Sequence, residues 1–260
     1  MRDATIEFRV LGCAGGQLPG RNLSSYLVNG SLLIDAGSAA SVLSLNEQRK
    51  IKNILITHCH LDHVLGLASL ADNLYGNGFT IHVWGIRPVI SGLKASLFNN
   101  TLWPDFTRIT GEDQTRPILS FGALREKEPA AVGDSVVTAV RVDHSIPSTG
   151  FFITNRGKTL LHIGDTGPTA QIWSLARRKK NLCAVVLETS YPNRLQELAT
   201  KSGHHTPQSL AEEAGKLGRP STPFLATHLK PIYREEIIRD LKKIKGQRLM
   251  VLKDGDFLRL

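Results

Sequence analysis

The chain has 260 residues, 41% hydrophobic and 21% charged, which suits a globular protein of one large domain or two small ones and argues against a disordered or fibrous one. Its 32 basic side chains against 23 acidic ones leave a net charge of +9, which favours anionic partners: phosphates, nucleotides or nucleic acid. No run is long enough to cross a bilayer, and the stretch 1–13 shows neither a secretory leader nor an apolar anchor.

In chain order, residues 6–11 alternate as a strand and enter a glycine-rich turn, LGCAGG at 11–16, which lacks a P-loop lysine. Residues 26–35 read as a hairpin with Asn29-Gly30 as its tight turn; Asp35-Ala36-Gly37 ends it, and 39–49 has helical periodicity. Ile54-Leu55-Ile56 predicts a strand and 64–74 a helix, with THCHLDH at 57–63 between them. A strand at 80–84 and a helix at 88–98 follow, and Pro104 keeps NNTLWPDF at 99–106 out of a helix.

The second half repeats the plan. A strand at 135–142 ends in Asp143-His144, a hairpin of 151–154 and 159–163 turns at 155–158, and Gly164-Asp165-Thr166-Gly167 closes it. A proline opens a helix at 168–178, then come a buried strand at 184–187 and the segment ETSYPN at 188–193. Thr206-Pro207 caps and opens a helix to 217; a strand at 224–227 ends at His228, and a helix at 233–244 and a strand at 249–252 finish the chain. The basic runs at 177–180 and 239–245 fall on predicted helices and read as solvated faces. With no linker in between, residues 1–260 are expected to form one domain. Three cysteines without paired spacing predict free thiols in a reducing, cytoplasmic setting, with Cys13 and Cys183 as small buried residues.

Chemistry concentrates at 57–63. In extended chain, residues two apart point to one side, so His58 and His60 reach one point while Cys59 faces away. The turn into a helix re-aims Asp62 and His63 toward a second point beside it. Imidazoles and a carboxylate so crowded are what a borderline-soft cation such as zinc requires. HxHxDH between a strand and a helix resembles the metallo-β-lactamase superfamily, which implies an α+β fold: a four-layer αββα sandwich of two similar halves, with two metals.

A pattern then recurs in which a hydrophobic strand ends at a His or Asp: His144, Asp165 and His228. Together with the superfamily's remaining motifs, this assigns His58, His60 and His144 to one divalent ion and Asp62, His63 and His228 to the other, with Asp165 bridging. His162 and His82 lie inside strands and stay unassigned. Two ions about 3.5–4 Å apart can share a water, lower its pKa and neutralise an oxyanion, so hydrolysis of an anionic ester is the expected reaction.

Further stretches resemble the class II cyclic-nucleotide phosphodiesterases: LGCAGG at 11–16, NLSSYLVN at 22–29, LFNNTLWPDF at 97–106, IPSTGF at 146–151, GDTG at 164–167, ETSYPN at 188–193, GHHTP at 203–207 and THLKP at 227–231. After HLDH this chain departs, with small residues at Gly66-Leu67-Ala68-Ser69. The resemblance implies cleavage of the 3′ P–O bond of a 3′,5′-cyclic nucleotide, cAMP foremost. Asp62, His204 and Thr206 are then the catalytic candidates, the last two contacting phosphate or protonating the leaving oxygen. Thr206 as a helix cap and His204 as a loop residue are the alternatives. Trp103 and Phe106 either stack on the purine or pack, Asn99 and Asn100 stay undecided, and Glu188 orients a ligand histidine. A small anionic nucleotide is the expected partner, with no membrane and no nucleic acid; a homodimer is left open. The rivals are a tRNA 3′-processing endonuclease of the same superfamily, which usually carries a long glycine- and proline-rich arm not seen here, and a metal-stabilised nucleic-acid binder without catalysis.

Overall fold

Strand alternation divides the apolar residues of the second half between two sides. Val137, Ala139, Phe151, Ile153, Leu160, Ala184, Val186 and Leu225 enter one buried cluster; their neighbours Val140, Val142, Phe152, Leu161, Ile163, Val185, Leu187, Phe224 and Ala226 enter another. A sheet buried on both faces must lie between two layers. The computed structural model, which describes residues 5–111 and 115–260, has that arrangement. Residues 1–4, part of the stretch read for a leader, lie outside the described residues.

One sheet comprises β1 (Glu7–Gly12), β2 (Ser25–Val28), β3 (Leu32–Ile34), β4 (Asn53–Leu55), β5 (Ile81–Ile86) and β6 (Leu119–Leu124). The other comprises β7 (Pro129–Val132), β8 (Ser135–Val142), β9 (Ser148–Asn155), β10 (Lys158–Ile163), β11 (Leu182–Glu188), β12 (Phe224–Thr227) and β13 (Leu249–Val251). A last strand, β14 (Phe257–Arg259), returns to pair with β1, giving the seven-stranded orders β14-β1-β2-β3-β4-β5-β6 and β13-β12-β11-β10-β9-β8-β7. In each sheet, three antiparallel pairings are followed by three parallel ones. The halves thus share one plan, and β14 supplies the first sheet with the strand that β7 supplies to the second.

The cluster between the sheets joins both halves, and the second cluster seats α5 (Gln171–Arg178), α7 (Pro207–Gly215) and α8 (Arg234–Leu241) through Ile172, Trp173, Leu210, Ala214, Ile237 and Leu241. On the first sheet, α3 (Leu61–Asn73) and α4 (Arg87–Ser96) bury Val64, Leu67, Leu70, Ala71, Val89, Ile90 and Leu93. This is the α+β sandwich expected.

Several boundaries differ from the sequence reading. The helix expected over 39–49 is two single turns, Ala39–Val42 and Leu45–Gln48. Leu43 is extended, and Ser44 forms a reciprocal capping box with Glu47, so a local side-chain bond starts the chain afresh. The helix expected from 64 begins at Leu61, which puts Asp62 and His63 in its first turn. The helix expected over 168–178 begins at Gln171, and that over 233–244 is Arg234–Leu241 after a 3-10 turn at Pro231–Tyr233. Strands β6, β7 and β14 and a helix at Gln196–Ser202 carried no recognised sequence signal.

Candidate metal centre

The site forms where strand ends of both sheets meet. Past β4, Thr57 and His58 are fully buried, and His60 keeps an extended backbone as the residue before α3. Asp62 sits in the first helical turn, where the helix dipole favours a carboxylate. From the second sheet come His144 after β8, Asp165 after β10, and His228 after β12, which takes a left-handed backbone at φ 62°.

One nitrogen of most of these rings is engaged outside the centre. Thr57 Oγ1 lies 3.1 Å from His58 Nδ1, Gly203 O lies 2.9 Å from His144 Nδ1, Asp35 Oδ2 lies 2.7 Å from His63 Nδ1, and Ser190 Oγ lies 2.9 Å from His228 Nδ1. The opposite Nε2 atoms therefore face inward with their lone pairs. His58 Nε2 is 3.1 Å and His144 Nε2 3.2 Å from His60 Nδ1. His228 Nε2 is 3.1 Å from Asp62 Oδ2, 3.2 Å from Asp165 Oδ2 and 3.3 Å from His63 Nε2. Asp165 Oδ2 also lies 3.8 Å from His58 Nε2, so one carboxylate oxygen faces both groups.

Ligand atoms of His58, His60 and His144 lie within 4.8 Å of one another, as do those of Asp62, His63, Asp165 and His228. The structure thus brings together every residue assigned to the two ions. Lone pairs aimed at one point repel unless a cation sits between them, so the donor set fits divalent metal. Protonation agrees. Burial pushes His58, His60 and His144 below the ordinary imidazole range. Burial alone would raise Asp165, but His228, His63 and His58 hold it well below the carboxylate range. These are the deprotonated forms a metal binds.

Around these donor groups lies a supporting shell. Asp35, fully buried, accepts from Thr57 N at 2.8 Å and from Thr57 Oγ1 at 2.8 Å, so one carboxylate fixes both the strand exit and His63. Sequence reasoning missed it, although Asp35 ends β3 as Asp165 ends β10, the same place in the repeated plan. Glu188, expected to orient a ligand histidine, touches none of the assigned ligands directly and reaches His228 only through Ser190. Its Oε1 accepts from His204 Nδ1 at 2.8 Å, and its Oε2 accepts from Ser190 Oγ at 2.9 Å, which in turn holds His228.

His204 is buried beside the ligands, with its ring centroid 4.9 Å from that of His144 and its Nδ1 3.9 Å from Asp165 Oδ2. Burial works against its charge, but Glu188 and Asp165 outweigh that and raise its pKa. Thr206, fully buried, accepts from Ser209 N at the start of α7 and donates to Gln196 Oε1 at 2.5 Å; its hydroxyl serves the cap. Phe106 is core, packed edge-on against Phe98 at 6.5 Å, and Trp103 lies half-buried on the same cluster; both pack, as the alternative reading had it. Asn99 Oδ1 and Asn100 Oδ1 accept backbone N–H groups of their own loop. Cys59 donates to Val89 O at 3.3 Å, away from the ligands, and burial raises its thiol to about 11. Cys13 is buried and Cys183 only half-buried; all three thiols are free.

Among the described residues, no helix is long and apolar enough to cross a membrane. Residues 31–229 match the family model described as a beta-lactamase superfamily domain. A probable 3′,5′-cyclic-nucleotide phosphodiesterase of Yersinia pestis is 27% identical over 94% of this chain and 83% of its own length. A ribonuclease BN of Cronobacter sakazakii is 25% identical over 89% of this chain and 91% of its own. The crystal structure of unliganded yeast PDE1 superposes with a TM-score of 0.83 at 18% identity, covering 99% of this chain and 100% of the other.

Proposed function

We propose, from the premise that this chain belongs to the metallo-β-lactamase superfamily of hydrolases, that it is a phosphodiesterase acting on 3′,5′-cyclic nucleotides, cAMP foremost. The observation that carries this reading is the pairing of a divided His/Asp donor set with a carboxylate-held histidine, His204, at its edge. His58, His60 and His144 would hold one divalent ion, zinc by preference, and Asp62, His63 and His228 a second, with Asp165 between. Such ions, when bound, polarise a phosphoryl oxygen and lower the pKa of coordinated water.

The chain's own residues supply the rest. Asp35, Ser190 and Gly203 O orient the ligand imidazoles. With Nδ1 donating to Glu188, His204 keeps Nε2–H as its remaining donor, which would protonate the leaving 3′ oxygen as a water oxygen bonds to phosphorus and the ester bond breaks. Burial opposes charge on His204, but Glu188 and Asp165 outweigh it and raise its pKa, which favours the acid form.

A tRNA 3′-processing nuclease is the second reading, favoured by the ribonuclease BN relative. The phosphodiesterase relative spans more of this chain, which supports the first. Turnover of cAMP, cGMP, bis(p-nitrophenyl) phosphate and a precursor tRNA by one metal-loaded sample separates them. The first reading expects 5′-AMP from cAMP and intact tRNA; trimmed tRNA with inert cAMP would replace it with the second.

A further inference from the structure

We propose that Lys230 forms an oxyanion subsite beside the metal centre, a fixed cation that takes a non-bridging phosphoryl oxygen of the bound ester. The identity of that oxygen rests on the phosphodiester reading above; the placement of the charge does not.

Two independent contacts fix the ammonium. Lys230 Nζ donates to Gly15 O at 3.2 Å, and Gly15 lies flat against His228: a Cβ there would fall 2.7 Å from the His228 ring. Lys230 Nζ also sits 5.3 Å from the centroid of Tyr191, whose ring meets that of His204 edge-on at 5.8 Å. One contact leads to the Nδ1 edge of His228 and the other to the proposed acid, so the charge is tied to both residues.

Lys230 is half-buried, and its recorded partners are a carbonyl and a ring, neither of which neutralises a charge. Gly15 O uses one of its three N–H donors, leaving two for a ligand. A structural lysine would be expected to find a carboxylate; this one is held half-desolvated beside a site built for anions. LGCAGG and THLKP thereby acquire a joint role: the first supplies the carbonyl and the flat glycine, the second the ligand His228 and the cation two residues on. Charge-assisted hydrogen bonds to phosphate are short and strong, and a lysine supplies them as a point charge.

The test uses zinc-loaded protein and inorganic phosphate as the probe. Calorimetry should show phosphate binding about tenfold weaker or worse in Lys230→Met than in wild type, with Lys230→Arg recovering part of the loss and zinc content unchanged. A second measurement needs no variant: phosphate should slow acetylation of Lys230 in the wild-type chain while leaving exposed Lys50 unaffected, read by mass spectrometry. Equal phosphate affinity in wild type and Lys230→Met, or acetylation of Lys230 indifferent to phosphate, overturns the subsite. If phosphate binds through Lys230 but no phosphodiester is hydrolysed, the subsite stands and the catalytic reading fails.

Discussion

Asp35 touches no proposed ion, yet His63 and Thr57 both depend on it. A carboxylate behind a ligand histidine fixes its tautomer and raises its basicity. Asp35→Ala is therefore expected to weaken metal affinity roughly 10–100-fold, measured by competition with a chelator, and unchanged affinity would remove it from the centre. His204→Ala should lower kcat by about 10²–10⁴ with metal content intact. A general acid works while protonated, so activity should fall as pH rises through the raised His204 pKa. Glu188→Gln removes the main charge holding that pKa up and should move this limb to lower pH. His162, which is not a proposed ligand, offers a stability test. It is buried with neither ring nitrogen hydrogen-bonded, and burial pushes it from 6.5 to about 4. The unfolded chain takes up a proton at higher pH than the folded one, so this residue's stability term is complete above about 6.5 and is lost as pH falls toward 4. Between pH 7 and pH 5, denaturant titration should show wild type losing roughly 2 kcal/mol more than His162→Phe.

At the scale of elements, what was legible in the sequence was what is local. The proposed ligands stood out because they cluster after short apolar runs, and the Asn29-Gly30 hairpin because both residues take positive φ, as that turn demands. What was missed depends on partners distant in sequence. PAAV at Pro129–Val132 and FLR at Phe257–Arg259 are too short or too weakly β-branched to declare themselves, and become strands only through pairing with β8 and β1. Asp35 was missed for another reason: an acid before Ala-Gly looks like the end of a turn, and only the parallel with Asp165 marks it. Removing residues 257–260 should uncover the edge of β1, and an open edge recruits other chains. Light scattering should then show self-association that the intact chain lacks.

For the molecule as a whole, the repeated plan explains why neither half could carry the site alone. His58, His60, Asp62 and His63 come from the end of the first sheet; His144, Asp165 and His228 come from three strand ends of the second. The cluster packed between the sheets holds the two sets in register, so the centre is a property of the sandwich and not of a motif. Asp165 is where the halves meet chemically, its Oδ2 within 3.8 Å of His58 and 3.2 Å of His228. The most direct test is metal content and 5′-AMP formation from cAMP, measured together on wild type and Asp165→Ala, with circular dichroism as the check on folding. Two divalent ions per wild-type chain, and a folded variant with nearly all turnover gone, are the expected results. A variant that keeps most of its turnover, or a wild-type chain that binds no metal, would contradict the account.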